Sequence, residues 1–183
     1  GSFAGAVNFE RLAVASGNWT LTAASSFSDG TTIAGGATLT GNSTTLTGAI
    51  ANAGTLRVDQ ADAGTLAATL TGTGLLQKLG AGTLSIGAQP GFAGPVDILA
   101  DRLNVQGVMP SAVRVANGAT LGGTGTIAGA TVQSGATIAP GTGVGTLTIT
   151  GQLVQEAGST YAAEIMSGGA DRIAVGSIAT IRS

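Results

Sequence analysis

The stretch GATLGGTGTIAGATVQSGATI, residues 118–138, decides how this chain folds. It opens on Gly118-Ala119-Thr120-Leu121 and closes on Gly135-Ala136-Thr137-Ile138, the same phrase repeated. Working outward, the phrase returns along the whole chain. Upstream it reads Gly17-Asn18-Trp19-Thr20-Leu21, Gly36-Ala37-Thr38-Leu39, Gly54-Thr55-Leu56-Arg57-Val58, Gly64-Thr65-Leu66 and Gly82-Thr83-Leu84-Ser85-Ile86. Downstream it reads Gly145-Thr146-Leu147-Thr148-Ile149, and Asp101-Arg102-Leu103-Asn104-Val105 fills a slot without its glycine. Successive phrases keep a period near 18, with two half-steps, from Gly54 to Gly64 and from Gly135 to Gly145.

Inside each phrase apolar and polar residues alternate. Leu56 and Val58 oppose Arg57 and Asp59; Leu147 and Ile149 oppose Thr146 and Thr148; Tyr161, Ala163 and Ile165 oppose Ala162 and Glu164. Period two is the mark of a strand with one buried face. Glycine, Asn117-Gly118 and Ser134-Gly135 punctuate the runs as turns. Short strands at a period near 18 cannot bury their apolar face within one repeat, but stacked repeats form a continuous core. The pattern therefore predicts an all-β, parallel β-solenoid. About ten coils at ~4.8 Å each give a rod of roughly 45–50 Å. A β-sandwich, with strands every 8–12 residues, is the competing arrangement.

Composition agrees and excludes much else. The chain has 183 residues, 32 of them glycine, with 9% charged, 3% aromatic, and neither cysteine nor histidine. Disulfide scaffolds, Cys/His zinc sites and Ser-His-Asp or Cys-His nucleophiles are ruled out. A net charge of -2 gives no footprint for nucleic acid. Mean hydropathy is +0.41, yet no apolar run reaches the ~18–20 residues of a membrane helix. No cleavable secretory signal opens the chain, and Gly1-Ser2 reads as a cloning remnant on an excised fragment.

Residues 74–107 carry a more specific pattern. Gly74-Leu75-Leu76-Gln77-Lys78-Leu79-Gly80-Ala81-Gly82-Thr83-Leu84-Ser85-Ile86 resembles the L-x-K-x-G-x-G-T-L-x-L phrase of bacterial autotransporter passenger repeats. Phe92-Ala93-Gly94-Pro95-Val96-Asp97-Ile98 through Val105 is similar to the second half of that repeat. Val113 to Ile127, Ala139-Pro140-Gly141, Gly145 to Gly151, Gly158-Ser159-Thr160-Tyr161 and Ala170 to Val175 follow in the order found near a passenger's C-terminal end. The resemblance is close over 74–176 and looser over 17–73. It implies a right-handed single-stranded parallel β-helix with a C-terminal cap, exposed on a Gram-negative cell surface or secreted. It divides the chain into passenger coils at 1–106 and C-terminal coils with an autochaperone at 107–183. It also implies a translocator β-barrel as partner, beyond residue 183, and a functional region upstream of residue 1.

Candidate chemistry is thin. The nearest carboxylate pairs are Asp59/Asp62, Asp97/Asp101 and Glu156/Glu164. On one strand Asp97 and Asp101 would stand ~13 Å apart, too far for either glycosidase geometry. A glycan-cleaving β-helix enzyme is thus the weakest alternative, and turn or face charges are the default. Ser167-Gly168-Gly169-Ala170-Asp171 is a lone near-match to calcium-binding repeats and reads as a turn. Gly141-x-Gly143-x-Gly145 lacks the following helix and Gly-Lys-Ser/Thr of a phosphate loop, so it reads as a loop between coils. Asn18-Trp19-Thr20 and Asn42-Ser43-Thr44 match the glycosylation sequon, by coincidence in a bacterial passenger. Lys78, the only lysine, is expected to lay its stem on apolar surface with its head in water. Trp19 is expected in the core.

The expected function is non-enzymatic, with no cofactor and no metal. C-terminal coils fold first and offer an open strand edge to each next coil, so that folding runs from C to N. The expected nucleus is Leu147, Ile149, Tyr161, Ile165, Ile173 and Val175. The rod supports adhesion to a host-surface ligand or self-association through its Thr-, Asn- and Ser-rich outer face. A stalk beneath an upstream enzymatic head is the alternative.

Overall fold

A computed structural model describes residues 1–4 and 9–183. Every regular element among them is a strand. Twelve strands form one sheet, six a second, four a third, and two a hairpin. Neighbouring coils pair in parallel, and the hairpin Ile165–Met166 with Gly169–Ala170 is antiparallel. The fold is a β-solenoid of about eight turns, not a sandwich.

One turn in the middle shows the plan. Leu75–Leu79 lies on a first face and Leu84–Ile86 on a second. Phe92 reaches a third through its bridge to Gly72, and Val96–Ile98 returns to the first beside Leu76. The half-steps follow from this plan. The phrases at Gly17, Gly36 and Gly54 open strands of the first face. Those at Gly64, Gly82, Asp101, Gly118 and Gly135 open strands of the second. Each half-step is therefore a change of face within one turn. Val108–Val115 and Thr126–Val132 bend across a corner, their first residues on the third face and their last on the first.

The coils number fewer than ten because the later turns are longer. A middle turn closes between the register partners Val96 and Val113. The last two run further, from Ala130 to Leu153 and from Leu153 to Ala179. At ~4.8 Å per turn the stack is roughly 40 Å long. The expected boundary at 106/107 falls in the corner between the strands Arg102–Val105 and Val108–Val115.

Inward residues stack in columns along the axis. Leu39, Leu56, Leu76, Val96, Val113, Ala130 and Leu153 are in register and buried. The neighbouring column runs Val58, Lys78, Ile98, Val115, Val132. Lys78 thus sits inside the stack, only 1% exposed, rather than with its head in water. Its ammonium Nζ donates to the Gly80 carbonyl at 2.7 Å and the Ala100 carbonyl at 2.9 Å. Two carbonyls turned inward at successive turns satisfy a charge that the core would otherwise reject.

Trp19 stands at the expected inward register, opposite Leu39, yet is 41% exposed. It belongs to the N-terminal end of the stack, where Gly1 rather than a full coil covers it. Its indole Nε1 donates to the Ser16 carbonyl at 3.0 Å and its ring meets Phe3 edge-on. Close stacking also demands glycine at particular places. A Cβ on Gly94 would fall on the carbonyl oxygen of Gly74 in the preceding turn.

Candidate functional site in the C-terminal coils

The six expected nucleus residues share one end of the solenoid but not one environment. Leu147 and Ile149, on Thr146–Ile149, are fully buried. Ile173 and Val175 lie directly over them in parallel register and are partly buried against the core. Alternation along 146–149 and 172–175 places all four side chains inward.

Tyr161 ends the inward column Leu84, Leu103, Leu121, Ile138. It is 42% exposed because no further strand covers it on that face. Its hydroxyl donates to the Asp171 carbonyl at 2.9 Å. Burial, with Asp171 adding to it, pushes the phenol up. Ile165 departs from expectation. The alternation from Tyr161 to Ile165 is not one strand: Thr160–Tyr161 stops, and Ile165 enters the hairpin, 81% exposed. Met166, Ile178 and Ile181 are exposed as well.

Two polar side chains tie this end together, and sequence reasoning missed both. Asp171 is buried; its Oδ1 accepts from the Gly145 N–H at 2.8 Å and its Oδ2 from the Glu164 N–H at 2.9 Å. The near-match to a calcium repeat is therefore an internal clasp that shuts the hairpin and pins the loop before Thr146. Arg102 reaches across several turns. Its Nε donates to Asn104 Oδ1 at 2.6 Å, and its Nη2 to the carbonyls of Ala139 at 2.9 Å and Gly141 at 2.6 Å. Gly122 makes room for it, since a Cβ there would collide with Nη2. Burial lowers the guanidinium's pKa from its ordinary value, while Glu164, Asp101 and Asp171 oppose that shift. The signal for Arg102 was its place in the repeat: Asp101-Arg102 stands where other phrases have glycine and a small residue. Arg102, Pro140, Thr142, Ala163, Glu164 and Asp171 border a cleft of about 370 Å³.

Three of the six carboxylates weighed for catalysis, Asp97, Asp101 and Glu156, make bonds elsewhere. Asp97 pairs with Arg114 at 2.8 Å, and that bond raises the guanidinium's pKa. Asp101 accepts the Thr83 hydroxyl at 3.1 Å from a turn with φ of 50°. Glu156 pairs with Arg182 at 3.0 Å. Among the described residues no three His, Cys, Asp or Glu side chains gather as a metal site would require. The Gly141–Gly145 segment connects Thr137–Pro140 to Thr146–Ile149, a loop as expected.

Comparison with known proteins bears on where such a chain works. It is 33% identical over 106 residues to an extracellular serine protease of Serratia marcescens. The match spans 57% of this chain and 10% of that protein. No family model matches the chain. A parallel solenoid and an extracellular relative both fit an autotransporter passenger and point to secretion or the cell surface.

Proposed function

We propose that this chain is a non-catalytic segment of an autotransporter passenger, and that its coils from 107 onward nucleate and template the rest. One observation carries this reading. Among the described residues the second face has strands only from Gly64 onward, so there the C-terminal turns are hydrogen-bonded on more faces than the N-terminal ones. A turn with more of its backbone paired is better able to stand alone; one with less needs a neighbour to form against. Arg102 and Asp171 add bonds that close the C-terminal turns on themselves.

Supported in this way, folding starts near Leu147, Ile149, Ile173 and Val175 and proceeds toward Trp19. The 10% span of the Serratia marcescens protein favours a stalk role, with any enzymatic head elsewhere in a longer chain. The translocator barrel would be the partner that delivers the C-terminal coils first. Refolding from urea tests the reading. The intact chain is expected to recover its far-ultraviolet signal much faster and more completely than residues 1–106 alone. Equal recovery would overturn it.

The outer face supports a second role in adhesion. Thr40, Arg57, Gln77, Asp97, Arg114 and Thr131 stand in register, one per turn, on one straight line. Arg57 Nε donates to Gln77 Oε1 at 2.9 Å. Such a ladder presents many weak polar contacts with charges of both signs.

A further inference from the structure

Midway along the rod, the outer side of the first face carries charges in a self-complementary order. Register fixes its central column, one residue per turn: Thr40, Arg57, Gln77, Asp97, Arg114. Gln77 stands in the middle. Reversing the rod about Gln77 lays Arg57 over Asp97, Asp97 over Arg57, and Arg114 over Thr40. Leu75 and Leu79 flank Gln77 on the same strand. Alternation with the buried Leu76 and Lys78 turns both outward, and both are partly exposed. Apolar surface therefore lies on each side of the polar column.

Two copies can close face to face about a two-fold axis in two ways. With the rods parallel, each residue of the column meets its own kind, Arg57 on Arg57 and Asp97 on Asp97. Like charges set directly opposite are destabilising. With the rods antiparallel and the axis at Gln77, Arg57 of each copy meets Asp97 of the other. The same axis sets Leu75 on Leu75 and Leu79 on Leu79. Asp97 keeps Arg114 at 2.8 Å and gains a second guanidinium, which its two oxygens can accept. Both copies share one turn spacing, so the match holds over successive turns. From Thr20 to Thr131 seven residues stand in register. A patch of that length, roughly 17 Å by 34 Å, buries roughly 1,150 Å² over two copies, above the ~1,000 Å² of a specific contact.

We propose that two copies of this chain pair side by side and antiparallel through the first face, on a two-fold axis at Gln77. The proposal rests on the adhesive reading of that face and gives it one occupant, a second copy. The contact joins like surfaces, so it closes at a dimer.

Light scattering on a size-exclusion column tests it. The mass is expected to rise from 17.4 kDa toward twice that value, and no further, as concentration increases. Arg57→Asp places like charges against Asp97, and Asp97→Arg does so against Arg57. Each variant alone should dimerise roughly tenfold more weakly or worse. Mixed, the two variants meet with opposite charges at both positions, and a dimer of mixed composition should return. Wild type that stays monomeric at all concentrations overturns the proposal, and so do variants that dimerise as well alone as mixed. A second measurement leaves the charges alone. The chain has no cysteine. Thr20 and Thr131 lie opposite each other across the axis, so a bismaleimide should join Thr20→Cys to Thr131→Cys and neither to itself. Thr131→Cys joined to its own kind would mean parallel rods and overturn the arrangement. Beads coated with the chain test the adhesive reading separately, on cultured epithelial cells. A monomeric chain whose beads still attach overturns the dimer and keeps the adhesive face. A dimeric chain whose beads do not attach keeps the dimer and removes adhesion to a host ligand.

Discussion

Lys78 occupies a slot that the adjacent turns fill with Val58 and Ile98. Burial lowers its pKa from the ordinary lysine value, and Asp101 and Asp59 pull it part of the way back. The unfolded chain then holds that proton more tightly than the folded one. Stability rises as pH climbs through the folded-state value toward the ordinary value of 10.5, and falls again on the way down. Lys78→Met should abolish this rise and strip two carbonyls of their donor, costing about 2 kcal/mol at pH 7. Urea unfolding of both chains at pH 7 and pH 10 measures it; Tyr161 titrates in both and cancels. Gly122→Ala should displace the Arg102 guanidinium from the Ala139 and Gly141 carbonyls, with a loss of about 1–3 kcal/mol. Gly122→Ala combined with Arg102→Met should then cost little more than Arg102→Met alone. Arg102 left only its odd place in the repeat as a signal, and the role of Lys78 was not legible in sequence. A lone lysine in an alternating strand reads as a surface residue, because burial of a charge is rare unless backbone carbonyls are turned to meet it. Nothing local announces that the carbonyls of Gly80 and Ala100 are so turned.

Strands, in contrast, were legible along most of the chain, since period two depends only on neighbours along the chain. What a one-dimensional pattern hides is which face a strand joins. The phrase at Gly54 and the phrase at Gly64 look alike, yet one opens a first-face strand and the other a second-face strand. The difference lies in corners such as Gln60, whose side-chain Oε1 accepts the Ser43 N–H from the preceding turn. The nucleus divides in the same way. Leu147 and Ile149 follow a glycine and are bracketed by threonines, and they are buried. Ile165 continues an alternation that the Gly168-Gly169 hairpin breaks. Leu147→Ala should therefore cost about 2–5 kcal/mol and slow refolding, whereas Ile165→Ser should stay within about 0.5 kcal/mol. Chemical denaturation and stopped-flow refolding of the two variants check both statements.

At the scale of the molecule, the composition acquires a physical cause. A core only a few side chains wide admits Leu, Ile, Val and Ala, and it leaves no room for many aromatics. Every coil rests on its neighbours alone, so stability is a sum over turns and interfaces. Loss of the last turn removes the lid over Leu147 and Ile149 and should destabilise its neighbour before the far end. A chain ending at residue 151 is expected to melt at lower temperature, with hydrogen exchange accelerating first around Thr126–Val132 and only later around Thr38–Gly41. Uniform acceleration would indicate a single cooperative unit instead.

The parallel register of successive turns has a mechanical side. All the ladder hydrogen bonds run along the rod, so tension applied through the two termini peels one turn at a time instead of shearing a whole sheet. Turns through the middle are nearly equal in length, closing from Leu39 to Leu56, to Leu76, to Val96 and to Val113. Each release frees roughly 60–70 Å of chain at ~3.5 Å per residue. Pulled from both ends, this rod should unwind like a spooled line, in similar lengths at low and similar forces.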